Sequence, residues 1–229
     1  MSTNSDRVIY TQNADVTGDG VLDTIFLNGR SRSDNPEFYE EVVLAVRDGS
    51  SGQTYIQSLA PDNAGYNPRF MLCDFNKDGL LDILTSIDSG GSGAFVYNKL
   101  VTVRGGQFHQ LFNVAVFNTE FRGQAVYLND YRVEVTIPRL GRRYLIDVSD
   151  RKELYQGRIY SKDGRLLEPT MGEVSDLNVL YPTQDGKYCG LLALQRVIGL
   201  FGADTLGYLE TNLRWGESGF VPVSQIFTK

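Results

Sequence analysis

The sequence predicts an all-β protein, because its composition and its apolar pattern both favour strands and turns. The 229 residues include 24 glycines, which suit tight turns, and 13 tyrosines with 12 phenylalanines, which favour strands. Residues 132–137, Arg-Val-Glu-Val-Thr-Ile, alternate strictly between polar and apolar side chains, as a half-buried strand does. A hydrophobic content of 41% with 22% charged residues indicates a globular, core-forming chain.

The first half of the chain repeats one arrangement twice: an acidic loop, a strand and then a hairpin. Residues 8–10 and 24–27 flank the first loop, and residues 70–73 and 83–87 flank the second. All four segments are rich in apolar and β-branched residues, which favour strands. We therefore predict two blade-like units of antiparallel strands within residues 1–117.

Both acidic loops have oxygen-bearing side chains at relative positions 1, 3, 5 and 9, and glycine at position 6. The predicted side-chain ligands are Asp74, Asn76, Asp78 and Asp82 in the second loop, and Asp15, Thr17, Asp19 and Asp23 in the first. At position 7, Leu80 and Val21 would each supply a backbone carbonyl. Because Ca²⁺ takes about six to eight oxygens, and because nearby carboxylates repel one another without a cation, the spacing predicts two Ca²⁺ sites.

These loops differ from EF-hands, which need a glutamate at position 12; that position is Phe26 in the first loop and Thr85 in the second. A D-x-[NT]-x-D-G-x-x-D loop between strands resembles the FG-GAP/VCBS-type repeats of integrin α-subunit propellers and many bacterial proteins. The resemblance covers about residues 8–100. It implies a small or incomplete β-propeller, with a β-sandwich or two β domains as alternatives.

The distribution of charge agrees with metal binding. The net charge is −6, and residues 1–100 contain 14 acidic against 7 basic side chains, while the remainder has 14 against 15. Six of those first-half acids are predicted calcium ligands. This distribution argues against nucleic acid, which needs a basic face, and no stretch approaches the ~18 apolar residues of a membrane span.

Residues 118–229 keep the β pattern but lose the metal ligands. We predict a metal-free β region there, packed on the first as one globular body. Asp163 and Asp185 each precede a glycine, but apolar or thiol side chains occupy the ligand positions around them, so both mark turns. Residues 190–198 are compatible with a helix or a strand, and we predict a strand.

Two cysteines, Cys73 and Cys189, are too few for a disulfide scaffold. Both lie in apolar segments, which favours two buried thiols, with a disulfide between them or a reactive thiol as the alternatives. The sequence has no Cys-x-x-Cys motif or Cys/His cluster, which excludes the usual zinc and iron–sulfur sites.

These patterns predict a calcium-binding, non-enzymatic structural or interaction protein whose two loops are stiffened by Ca²⁺. The alternative is a hydrolase or carbohydrate-binding protein with structural calcium and a cleft beside residues 90–93. The FG-GAP/VCBS resemblance implies a protein or surface-assembly partner and a place at the cell surface or envelope. Residues 1–6 lack the charged and apolar regions of a secretion signal, so the residues themselves assign no compartment.

Overall fold

The computed structural model describes residues 7–91 and 93–229. The predictions on residues 1–6 and on Ser92 lie outside these residues. The protein is built from antiparallel β-sheets, which confirms the all-β prediction. Among the described residues, two short helices, α1 (Val114–Glu120) and α2 (Lys152–Tyr155), and two single 3₁₀ turns interrupt the strands. Neither described helix has the length and apolar character needed to cross a membrane.

The first sheet has eight strands and contains both acidic loops. The strands are β1 (Arg7–Ala14), β2 (Asp23–Ser31), β3 (Phe38–Arg47), β4 (Thr54–Ser58), β5 (Gly65–Cys73), β6 (Asp82–Asp88), β7 (Val96–Arg104) and β8 (Gln107–Gln110). They lie in the order β1-β2-β3-β5-β6-β7-β8, with β4 paired to β3. The first loop joins β1 to β2 and the second joins β5 to β6, so each loop is the tip of an antiparallel hairpin.

The strands predicted as two blades form one continuous sheet. Phe38 and Tyr39 of β3 pair with Tyr66 and Gly65 of β5, so backbone pairing runs from the first predicted unit into the second. In a propeller, by contrast, each blade is a small sheet of its own. The two predicted units have the same loop spacing, but they are not two separate sheets, as propeller blades would be.

The chain forms two compact units, and the core of the first follows from strand periodicity. On β2, Ile25 and Leu27 are buried while their neighbours are only half-buried, and Leu44 and Ile83 join them in the same cluster. This compact unit comprises residues 7–113 together with 179–192 and 212–223. The sequence predicts a division after residue 117, without these later segments.

The second sheet has seven strands. They are β9 (Gln124–Leu128), β10 (Arg132–Ile137), β11 (Arg142–Asp147), β12 (Met171–Asp185), β13 (Tyr188–Ile198), β14 (Thr205–Trp215) and β15 (Phe220–Thr228), in the order β11-β10-β9-β12-β13-β14-β15. Strand β10 has the bounds that its alternation predicts, and β13 confirms a strand over residues 190–198. The second compact unit comprises residues 114–178, 193–211 and 224–229.

A buried polar cluster lies in the second unit. The Tyr155 hydroxyl donates to Asp204 Oδ2 at 2.6 Å, and the Tyr127 hydroxyl donates to that of Tyr155 at 3.2 Å. The Leu200 N–H also donates to Asp204 Oδ2, and Arg151 forms an ion pair with the other oxygen. Burial raises the pKa of Tyr155 above its ordinary value. The fully buried Asp204 carboxylate is therefore satisfied by three donor residues, two from residues 151–155 and one at Leu200.

Cys73 and Cys189 form a disulfide, with their Cα atoms 6.1 Å apart. The prediction of two buried thiols is therefore wrong. Cys73 is the last residue of β5 and Cys189 lies in β13, 116 residues later. Their pairing depends on the folding of the later hairpin into the first unit, which neither local sequence context reveals.

Candidate metal centre

Each carboxylate of the second loop uses one oxygen to accept backbone N–H groups of that loop. The bonds are Gly79 N to Asp74 Oδ2 at 2.9 Å, Leu80 N to Asp78 Oδ1 at 3.0 Å, and Phe75 N and Asn76 N to Asp82 Oδ2 at 2.9 and 3.2 Å. Gly79 has a φ of 91°, in the region that favours glycine, as position 6 requires. One oxygen of each carboxylate is thus left for another partner.

The second oxygens of Asp74 and Asp82 are the strongest indication of a cation site in this loop. Oδ1 of each is buried and has no hydrogen-bond partner within residues 7–91 and 93–229. The residues themselves are 8% and 0% exposed. A buried acceptor without a donor costs about 1–3 kcal/mol, and more when it is charged. Positions 1 and 9 of the predicted calcium loop therefore hold oxygens that fit a cation.

Burial also changes the acidity of Asp82. It raises the pKa of Asp82 to about 6, against the opposing effects of the Phe75 and Asn76 amides and the Thr102 hydroxyl. Thr102 is buried on β7, and pairing of Val101 with Ile83 brings it beside Asp82. The Thr102 hydroxyl is near enough to Asp82 to lower its pKa, although neither the hydroxyl nor Asp82 Oδ1 makes a hydrogen bond of good geometry in the described part of the chain. Thr102 is a further candidate oxygen that the loop motif did not reveal, because strand pairing supplies it.

The third carboxylate, Asp78, is neutralised within the chain. Arg104, the last residue of β7, forms an ion pair with Asp78 Oδ2, and Asn76 Nδ2 donates to the same oxygen at 2.9 Å. Arg104 is 26 residues from Asp78, and no local pattern indicates their pairing. A cation at this loop therefore has to share Asp78 with Arg104 or displace it.

The first loop satisfies its buried oxygens without a cation. Its bonds are Gly18 N and Gly20 N to Asp15 Oδ1 and Oδ2 at 2.6 and 2.8 Å, Val21 N to Asp19 Oδ1 at 2.8 Å, Val16 N and Thr17 N to Asp23 Oδ2 at 2.9 and 3.0 Å, and Gly49 N to Asp23 Oδ1 at 3.0 Å. The Thr17 hydroxyl also faces Asp23 Oδ1, at 3.4 Å. Among the residues that the structure describes, none of this loop's side chains keeps a buried oxygen without a partner. The two loops have the same spacing, but among the described side chains only the second loop has buried oxygens left for a metal.

Neither loop is a closed cage. No group of three carboxylate, thiolate or imidazole side chains is placed to hold a metal ion within residues 7–91 and 93–229. The carboxylates instead organise loop amides, so a metal would require side chains such as that of Asp78 to turn inward. Ligation by Thr17, Asn76 and the carbonyls of Val21 and Leu80 stays a prediction.

The segment proposed for the alternative cleft, residues 90–93, adjoins side chains that are paired with one another. Arg69 Nη1 donates to Asp88 Oδ1 at 2.8 Å, and Asn67 Nδ2 donates to Asp88 Oδ2 at 3.3 Å. Gly90 lies against the ring of Tyr66. The hydrolase and carbohydrate hypotheses stay predictions.

The comparisons with known proteins give a family. Residues 121–228 match the sequence profile of the YybI C-terminal domain. Over 220 residues the chain is 36% identical to the uncharacterized protein YybI of Bacillus subtilis (strain 168), covering 95% of this chain and 83% of that protein. The chain belongs to the YybI family. No solved structure matches this YybI-family chain.

Membership of the YybI family corrects the resemblance drawn from the loops. The match to FG-GAP/VCBS repeats is wrong as a family assignment, because two short loops were its whole basis and the comparisons join the chain to YybI instead. The expectations of a propeller and of a cell-surface or envelope place rested on that resemblance and lose their support. The oxygen spacing does not depend on it, since it is a property of the residues.

Proposed function

We propose that this protein is a calcium-binding structural protein, in which Ca²⁺ at residues 74–82 stiffens the tip of the β5–β6 hairpin. The observation that carries the proposal is the pair of buried, unpartnered oxygens, Oδ1 of Asp74 and Oδ1 of Asp82, within the described residues. Hard cations bind such oxygens and offset the unfavourable burial of the charge. The Thr102 hydroxyl, beside Asp82, is a further candidate oxygen, and the Asp78 carboxylate would join it only by turning away from Arg104.

The role proposed for the metal is structural rather than catalytic. Asp74 and Asp82 are almost fully buried, so a cation that they hold would be covered by protein on their side and would offer a substrate fewer open positions. Asp74 directly follows β5 and Asp82 begins β6, so the two residues stand at the base of the loop. A cation bound by both would therefore join the end of β5 to the start of β6. The loop between them would then be stiffer and would present a rigid surface to a protein partner.

The first loop is proposed as a second and weaker calcium site. Amide donors already occupy both oxygens of Asp15 and of Asp23. A carboxylate oxygen can still accept more than one partner. In the first loop, however, none of the described side chains has a buried oxygen without a partner that a cation could satisfy. We expect the second loop to fill first.

Thermal unfolding with calcium or with a chelator tests the proposal. If Ca²⁺ binds only the folded chain, a hundredfold excess over Kd adds about 2.7 kcal/mol for each site. Asp74→Asn should remove most of this gain, because asparagine keeps an acceptor for the Gly79 amide but loses the charge. Asp15→Asn is the matched change in the first loop and should remove less. Identical melting curves of the unmodified protein in calcium and in chelator would overturn the proposal.

A further inference from the structure

The turn between β12 and β13 is fastened to the start of the second loop. We call residues 183–189 the clamp hairpin. Its Cys189 is bonded to Cys73, the residue that directly precedes Asp74. The Cys189 N–H also donates to the Asp74 carbonyl at 3.0 Å. A covalent bond and a backbone hydrogen bond therefore meet at position 1 of the loop, and all of these residues belong to the first unit.

Lys77, in the middle of the loop, makes two more contacts with the clamp hairpin. Its Nζ lies 3.0 Å from Asp185 Oδ2 and 5.7 Å from the centroid of the Tyr188 ring. Lys77 has a φ of 63°, a left-handed conformation that residues other than glycine adopt rarely. The contacts with Asp185 and Tyr188 fix the Lys77 side chain against the clamp hairpin at the point where the loop turns sharply. The loop is thus held at its first residue and at its fourth.

We infer that the clamp hairpin positions the loop for calcium, so that calcium affinity depends on whether the Cys73–Cys189 disulfide is formed. The inference rests on the proposed function of the loop. With the disulfide formed, the residue before Asp74 is covalently fixed and the Asp74 carbonyl accepts the Cys189 N–H, so the Asp74 carboxylate is held in one position. Without it, one hydrogen bond and the Lys77 contacts remain. The apparent Kd is the intrinsic Kd divided by the fraction of molecules in the binding conformation, so a loosened loop binds more weakly.

The redox step is thiol–disulfide exchange with a dithiol reductant. One thiolate of the reductant attacks a sulfur of the Cys73–Cys189 bond, and its second thiolate resolves the mixed disulfide. The reductant supplies two electrons and two protons overall. The products are two cysteine thiols and the disulfide of the reductant. The Cys73 side of the bridge lies at a half-buried residue, whereas Cys189 is 7% exposed, so attack is expected from the Cys73 side.

Calorimetric titration of CaCl₂ into the full chain tests the inference. The titration is made in an Asp15→Asn background, which reduces the contribution of the first loop. We expect the Kd of the disulfide-bonded protein to rise by about tenfold or more after reduction by dithiothreitol, as for a loop that is competent about a tenth of the time. The double variant Cys73→Ser/Cys189→Ser should show the same weak binding with and without dithiothreitol, which controls for effects of the reductant itself.

The outcomes separate the inference from the function on which it rests. Equal Kd values before and after reduction overturn the inference and leave the calcium site standing. Absence of binding in the disulfide-bonded protein overturns both. Near-ultraviolet circular dichroism shows whether the serine variants and the reduced protein fold. If they do not, the calcium Kd of Asp185→Asn is measured in the disulfide-bonded protein instead. Loss of the Lys77 ion pair should raise Kd about two- to fivefold, and an unchanged Kd overturns the inference.

Discussion

Leu80 of the second acidic loop lies over Gly18 of the first: a Cβ atom on residue 18 would stand 2.6 Å from Leu80 Cδ1. The two loops therefore touch, although 59 residues separate their equivalent positions. Gly18 also has a φ of 83°, where a side chain is strained. Residue 18 thus has two independent reasons to be glycine, one within its own loop and one in the neighbouring loop.

The contact between Gly18 and Leu80 predicts a specific loss of stability. Gly18→Ala should lower the free energy of unfolding by about 1–2 kcal/mol for the backbone strain, with a further loss for the displaced Leu80 side chain. Gly20→Ala is the matched control, because Gly20 has a φ of 84° but a Cβ added there would meet no atom within 4 Å beyond its chain neighbours. Urea denaturation measures both. Equal losses in the two variants would show that Leu80 moves aside without cost, and Leu80→Ala should rescue only Gly18→Ala.

Arg104 is expected to compete with calcium for Asp78. Arg104→Gln removes the guanidinium, so the calcium Kd should fall a few-fold in titration calorimetry. The metal-free protein should lose at most about 1 kcal/mol, because both partners are about a third exposed and water screens the pair. Arg30→Gln is the control, since Arg30 pairs with Glu40 and Glu41, is about a third exposed itself and belongs to neither loop. Weaker calcium binding in Arg104→Gln would contradict a competitive role.

Calcium binding should depend on pH through Asp82. The pKa of Asp82 is raised to about 6 by burial, above the value of about 3.9 of an unfolded aspartate. Between these two values the folded metal-free protein binds more protons than the unfolded chain, so this group's contribution to stability falls as pH rises. Calcium needs the deprotonated form. We therefore expect the calcium-induced rise in Tm to be larger at pH 7.5 than at pH 5, and Asp82→Asn to abolish that difference.

The buried polar cluster of the second unit should be sensitive to the loss of one hydroxyl. Tyr155→Phe removes a donor to Asp204 and leaves the Tyr127 hydroxyl without its acceptor. Unsatisfied buried groups of this kind cost about 1–3 kcal/mol, which thermal or chemical denaturation detects. Tyr181→Phe is the control, because Tyr181 is 47% exposed. A change in Tyr155→Phe no larger than in that control would mean that water replaces the lost hydroxyl.

Much of the β structure follows from local pattern. The alternation in residues 132–137 predicts β10, and the strand predicted for residues 190–198 lies within β13. The short helix α2 and the cluster around Asp204 have no comparable signal, because the residues that meet there come from segments far apart in the chain. The loop spacing places two sets of oxygens correctly at hairpin tips, but it suggests the wrong family, since a short loop can occur in unrelated sheets.

By itself, the sequence determined the strands, the turns and which side chains of each loop carry oxygen, because these depend on alternation and spacing within about ten residues. Only the tertiary structure decided how those oxygens differ. Strand pairing brings Thr102 and Arg104 of β7 to the second loop, and the fold joins Cys73 to Cys189 beside Asp74. Burial then leaves Asp74 and Asp82 each with an oxygen unpaired among the described residues, whereas amides satisfy their counterparts in the first loop. Two loops of the same spacing thus acquire different chemistry from their neighbours.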